Sequence, residues 1–296
     1  MKLVPLAVLL AVAVLVGTAT NVIAGESRPI LVELYTSQGC SSCPPADALL
    51  AKLAKRKGLI AVSLPITYWD MLGWKDTLAC EANTSRQKAY AAAMRHGGVY
   101  TPQIIVDGRN DVVGSREDDV EEEIDAAEEA RDDVSDAIDE VQGAPEIVSD
   151  GVLRAGVAMN GPLHRKVGLT VAPLPWSVGI GLLPAPQELH VVIAAAPDVV
   201  AKNKLDATIW MLRLRSAVTV RIGAGENGGR TVTYRNVVSD IEDLGRWNGR
   251  AVSLELPPAG AKTPRHDGVV VVLQQGGYGR VLGTAYLAHA ERFAQQ

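Results

Sequence analysis

The chain has 296 residues, a net charge of −5 and 47% hydrophobic residues. That length holds one large domain or two ordinary ones. The negative balance argues against nucleic acid or an anionic membrane surface as a partner. Aromatics make up 4%, with a single Phe, so a core has to be built from Val, Leu, Ile and Ala.

Residues 1–24 read as a signal peptide. Lys2 gives a short positive start, Leu3 to Val16 is apolar apart from Pro5, and Val22-Ile23-Ala24 precedes polar sequence. The apolar run is shorter than the ~20 residues a membrane span requires. An uncleaved anchor is the alternative. Either way the remaining chain is expected in the periplasm or secreted, where disulfides persist.

Ile30, Leu31, Val32 and Leu34 read as a buried strand. After a polar turn come Cys40-Ser41-Ser42-Cys43 and then a run of helix formers, Ala46 to Lys57, with Leu49, Leu50 and Leu53 on one face. A CxxC thus sits where a strand hands over to a helix. The unpaired N–H groups and positive dipole end of a helix favour thiolate over thiol, and the thiolate attacks disulfides. Cys40 is the expected attacking sulfur and Cys43 the resolving one. The third cysteine, Cys80, is read as a buried thiol, with a third redox partner or a bridge in a homodimer as alternatives.

Leu59–Leu64 reads as a second buried strand, ended by Pro65. A loop rich in aromatics follows, with Trp69 and Trp74 placed either to border a substrate groove or to cap the edge of the core. Ser85–His96 reads as a helix with Ala89, Ala92 and Ala93 as its apolar stripe, stopped by Gly97-Gly98. Thr101-Pro102 precedes a strand, Ile104–Val106. Asp107-Gly108 signals a hairpin, and Asp111–Gly114 returns. Glu117–Glu140 reads as a long helix with 14 acidic residues and one base, Arg131. Val120, Ile124 and Ala127 lie on its buried stripe, and the charge is read as a solvated face. Gly143, Ala144 and Pro145 mark a boundary between a unit at 29–143 and a β-rich unit at 146–290.

From Glu146 the apolar period becomes two. Trp210, Leu212 and Leu214 alternate with Met211, Arg213 and Arg215; Val218, Val220 and Ile222 follow; Val252, Leu254 and Leu256 repeat the pattern; and Val269–Leu273 is a buried run. Glycine and proline clusters separate them, so the expectation is an all-β, sandwich-like or barrel-like domain. Gly223-Ala224-Gly225-Glu226-Asn227-Gly228 matches GxGxxG in letters only. Thr231–Tyr234 after it reads as strand, so a hairpin turn is expected rather than a dinucleotide site. A soft-metal site would have to gather Cys40 and Cys43 with Cys80 or His96 across the fold. No metal or organic cofactor is expected, because the cysteine pair itself carries the electrons.

The order strand, CxxC, helix, strand, helix, Thr-Pro, strand, hairpin, strand, helix over Pro29–Val141 is that of thioredoxin, an α/β fold. There the proline before the third strand is cis and presents backbone to an extended substrate. Further, YTSQGCSSCPPAD, YWDxLGWKD, SRQKAY, YTPQIIVDG and GENGGRTVTYRNVV together resemble the secreted thioredoxin-like proteins of domain of unknown function family 1223, from about Ile30 to Ala288. The resemblance implies a secreted protein with a thioredoxin-like domain. One departure stands out. Where the family carries His-Val-Asp ahead of Tyr-Trp-Asp, this chain has Pro65-Ile66-Thr67; if that His and Asp assist proton transfer at the cysteines, this member lacks them.

The resulting expectation is an exported thiol–disulfide oxidoreductase acting on protein thiols or disulfides. Cys40 and Cys43 are catalytic, and Thr101, Pro102, Trp69 and Trp74 hold substrate. The alternatives are a binding scaffold with a structural disulfide, or a copper carrier.

Overall fold

The structure, a computed structural model, describes residues 28–136, 180–184, 189–193, 206–256 and 266–288. The expected signal segment and the expected boundary at 143–146 lie outside them.

The first half runs β1 (Ile30–Thr36), α1 (Pro44–Leu53), β2 (Leu59–Pro65), α2 (Glu81–Ala93), β3 (Gln103–Val106), β4 (Asn110–Val113) and α3 (Glu117–Asp136), in the order expected. Strand β1 is parallel to β2, with Ile30 opposite Leu59, and antiparallel to β3, with Val32 opposite Val106. Side chains alternate across a strand. Ile30, Val32 and Leu34 therefore share one face, where they pack with Leu49, Leu50 and Leu53 of α1 and Val120, Ile124 and Ala127 of α3. The tight turn after β3 uses Asp107 and Gly108 at φ 53° and 67°.

The second half supplies β5 (Ile180–Pro184), β6 (Leu189–Ile193), β7 (Ala207–Arg221), β8 (Thr231–Trp247), β9 (Val252–Leu256), β10 (Gly268–Gln275) and β11 (Val281–Ala288). Four of these strands extend the first-half sheet. The order is β11-β10-β7-β8-β2-β1-β3-β4, joined where Ser63 of β2 lies opposite Val237 of β8. The other three form a separate sheet, β5-β6-β9. Val191 and Ile193 of β6 pack on Ile209, Met211, Val269, Val271 and Leu273, so a face-to-face pair of sheets does form there. The opposite side of β7 and β10, with Leu212, Leu214, Val270 and Val272, packs on Leu31, Tyr35, Ile60, Val62 and Ile105. Strand β10 is apolar on both faces because each face meets a different partner. In this way the second half covers the sheet face that α1 and α3 leave open.

Three details differ from the sequence reading. The runs around Trp210 and Val218 are one strand, β7, with register shifts at Ile209/Trp210 and Arg213/Leu214. β5, β6 and β11 carried no pattern that singled them out. In α2 the expected alanine stripe is not the buried one. Ala92 and Ala93 are exposed, and the helix buries Asn83, Thr84, Arg86, Gln87, Tyr90 and Ala91. Burying a polar face is tolerable because most of its groups are paired, Asn83 Oδ1, Arg86 Nη1 and Gln87 Oε1 being left without a hydrogen bond. Arg86 Nε donates to Glu33 Oε1 at 2.7 Å, the Tyr90 hydroxyl donates to Glu33 Oε2 at 2.6 Å, and Arg86 Nη2 donates to Gln274 Oε1 at 3.0 Å. The guanidinium also lies 5.1 Å from the Tyr90 ring centre and 5.6 Å from that of Trp210.

Candidate functional site

β1 ends at Thr36, and a turn, Ser37–Gly39, carries the chain into Cys40. The turn closes through Cys40 N donating to Ser37 O at 3.1 Å and Gly39 N donating to Ser37 Oγ at 3.0 Å. Cys40 and Cys43 are joined in a disulfide, and Cys43 is the cap residue of α1. Pro44 and Pro45 open the helix, as its first turn permits. Neither has an N–H. Of the first four helical positions only Ala46 and Asp47 carry an N–H, and the latter already bonds Cys43 O at 3.0 Å. Stabilisation of a thiolate here rests on the helix dipole more than on a row of free N–H groups.

Both sulfurs face inward. Cys40 is 2% exposed and Cys43 is fully buried, whereas Ser41 and Ser42 between them are exposed. The Ser42 hydroxyl lies 3.4 Å from the Cys40 sulfur.

Two buried carboxyls support this corner. Asp47, one helical turn after Cys43 and so on the same helix face, accepts the Thr36 hydroxyl at 2.8 Å. Burial pushes its pKa up to about 7, against the lowering effect of Thr36, with nearby Asp76 adding to the rise. Asp76 accepts backbone N–H groups from Gln38 at 2.7 Å, Leu78 at 2.8 Å and Ala79 at 3.2 Å. Burial outweighs these donors and raises its pKa too. Burial, with Asp47 and Asp76 adding to the rise, also pushes the Tyr234 hydroxyl of β8 up.

Of the residues expected to hold substrate, Trp69 and Thr101 meet directly. Trp69 Nε1 donates to Thr101 Oγ1 at 2.7 Å. The Thr101–Pro102 peptide bond is cis. Its loop is braced by Gly114 N donating to Pro102 O at 2.9 Å and by Gln87 Nε2 donating to Tyr100 O at 2.7 Å. A Cβ placed on Gly39 would lie 3.3 Å from the Trp69 Cβ, so Trp69 also abuts the turn before Cys40. Trp74 is set apart from this pair. Its Nε1 donates to Gln38 Oε1 at 2.8 Å, and its ring lies against Gly223. Between the two tryptophans, Met71 is 85% and Leu72 46% exposed.

The GxGxxG stretch is a hairpin turn, as expected, and it packs on the redox turn. Asn227 is 1% exposed and donates from Nδ2 to Gln38 O at 3.0 Å and to Cys40 O at 2.7 Å. Sequence reading did not single out Asn227, Asp47, Asp76 or Gln38. All four stand inside the family-like stretches, which is the one signal that could have drawn attention to them.

Cys80 is partly exposed and unbridged, at the start of α2, and burial raises its thiol pKa. Among the described residues, no three His, Cys, Asp or Glu side chains gather as metal ligands, and no helix is long and apolar enough to cross a membrane.

A family model described as "Protein of unknown function (DUF1223)" matches residues 31–156 and 144–274. Over 37 residues the chain is 38% identical to a probable thioredoxin of Archaeoglobus fulgidus. That stretch is 12% of this chain and 41% of the thioredoxin. A crystal structure of an Agrobacterium tumefaciens protein aligns at a TM-score of 0.64 and 26% identity, covering 90% of this chain and 96% of that one. HBP35 of Porphyromonas gingivalis aligns at a TM-score of 0.49 and 11% identity, over 90% of this chain and 76% of its own.

Proposed function

Because the chain belongs to the DUF1223 family, described only as proteins of unknown function, we propose a function from the site itself: an exported, thioredoxin-like thiol–disulfide oxidoreductase. In this reading a thioredoxin-like unit over 29–143 carries the chemistry, and the β-rich remainder covers it. The observation that carries the reading is a cysteine pair at the start of α1 with a buried carboxyl of pKa about 7 one turn away.

The cycle balances with these groups. The Cys40 thiolate attacks a partner disulfide, forming a Cys40–partner bond and releasing the partner's second sulfur as thiolate. Cys43 then gives up its proton and attacks the Cys40 sulfur. The partner leaves reduced and the Cys40–Cys43 disulfide remains. Asp47 accepts the Cys43 proton, since a carboxyl poised near neutrality can both take and return it. A polypeptide partner would lie along Thr101–Pro102 beside Trp69, with Met71 and Leu72 as apolar contacts. The reverse sequence oxidises a dithiol partner.

One observation favours a second reading, a scaffold whose disulfide is structural: the near-complete burial of both cysteines. Reduction of insulin disulfides by the protein and by Cys40→Ser separates the two. The oxidoreductase reading expects turnover that the substitution abolishes. Equal rates for the two proteins favour the scaffold.

A further inference from the structure

Attack on a disulfide needs the incoming sulfur to reach a target sulfur from outside, and at 2% exposure Cys40 offers no such approach. Fastened to the carbonyls of Gln38 and Cys40 beside it is a hairpin tip from the second half of the chain. The β7–β8 ribbon reaches beyond the joint with β2, and its tip turns at Gly223–Gly229, held by Gly229 N donating to Ile222 O at 2.8 Å and Gly228 N donating to Gly225 O at 3.0 Å. Gly223, Ala224, Gly225, Glu226, Gly228 and Gly229 are all exposed; Asn227 alone turns inward from this tip. Its attachment to the redox turn rests on the two Asn227 bonds and on the Trp74 ring. That ring fits because residues 223 and 225 lack side chains. A Cβ at Gly223 would lie 2.8 Å from a Trp74 ring carbon, and one at Gly225 3.2 Å from the Trp74 Cβ. A glycine-rich, solvent-exposed tip held by few contacts opens locally at far lower cost than the core.

We propose that the 223–229 hairpin is a gate over Cys40, latched by Asn227 and Trp74, so that the disulfide exchanges electrons only while the tip is lifted. The gate takes its purpose from the oxidoreductase reading: a sealed pair ignores stray small thiols and waits for a partner that displaces the tip. Small reductants measure it without any protein partner. A dithiothreitol thiolate attacks Cys40, Cys43 leaves as thiolate and takes a proton, and the reagent's second thiol displaces Cys40 as the reagent's own ring disulfide forms. Two electrons and two protons pass from reagent to protein.

Reduction by dithiothreitol, and re-oxidation by its cyclic disulfide, are followed by quenching and alkylation in the wild-type protein, Asn227→Ala and Gly223→Ala. The second variant wedges the tip off Trp74 without deleting a hydrogen-bonding side chain, and it decides the matter should Asn227→Ala fail to fold. The gate predicts that both rates rise together by on the order of tenfold, with the redox equilibrium unmoved and the same acceleration with a phosphine reductant. Folded variants that match the wild-type rates overturn the gate. So does a faster reduction with unchanged re-oxidation, which would mean that the hairpin stabilises the disulfide rather than covers it. Absence of insulin turnover, with Gly223→Ala still accelerated by the reagents, would sink the oxidoreductase reading and leave the gate standing.

Discussion

The two faces of β1 are built on opposite principles. Ile30, Val32 and Leu34 pack into a cluster of apolar side chains from α1, α3 and neighbouring strands. Their neighbours Leu31, Glu33 and Tyr35 look the other way, where a buried carboxylate and guanidinium sit among three tyrosines and a tryptophan. The first face is stabilised by area removed from water and needs only matching shapes. The second depends on pairing its buried charges, which ties α2 and β10 to β1 at fixed positions, although Arg86 Nη1 is left without a hydrogen bond. On the apolar face the charges stay outside, as in the Lys52–Glu117 pair, 66% and 53% exposed. Asp47 is the exception: a carboxyl buried beside the redox pair.

Breaking the polar face has the largest expected effect. Arg86→Met leaves Glu33 buried and unpaired, and should cost about 4 kcal/mol in urea unfolding. Glu33→Leu with Arg86→Met should restore most of that loss, because neither charge is then stranded. A single substitution costing under about 1 kcal/mol would show that the network adds little.

Next comes the exception. The Asp47 carboxyl is raised from 3.8 to about 7 in the folded protein, so folding favours its protonated form. The stability it contributes is complete below pH about 4 and is lost as pH rises through about 7, by at most about 4 kcal/mol. Asp47→Asn should flatten that slope, leaving the same-signed part due to Asp76. A slope identical in the variant would show that Asp47 is not the group.

On the apolar face, Leu50→Ala should cost about 3 kcal/mol through lost transfer and the cavity left behind. Its surface counterpart is the smallest effect. Lys52→Ala should move stability by less than about 0.5 kcal/mol, because an exposed ion pair is screened. A larger loss would blur the contrast between the faces.

The same contrast explains what could be read in the sequence. The apolar face of β1, the Leu49, Leu50 and Leu53 stripe, and Val120, Ile124 and Ala127 announce themselves by spacing. Cys40, Cys43 and Thr101-Pro102 stand out as residue types at fixed points of an element order. Glu33 in the middle of an apolar strand, and Arg86 on a helix with alanines to spare, carry no local sign of pairing, because Gln274 closes their network from the other end of the chain. Asn227 was equally silent. Its turn was legible as a turn, but what a turn lies against is set by β7 and β8 running past the sheet edge, and short-range pattern does not encode that. The alanine stripe misled for a related reason: α2 packs on a polar site, so helix periodicity pointed to the wrong face.

The central claim is that the Cys40 sulfur attacks disulfides. Trapping tests it most directly: Cys43→Ser with Gly223→Ala, which removes the resolving thiol and lifts the tip, is incubated with insulin and mapped by mass spectrometry after acid quench. The account predicts a covalent adduct through Cys40, absent when Cys40 is also replaced by Ser. No adduct, or one carried by Cys80 alone, would contradict it.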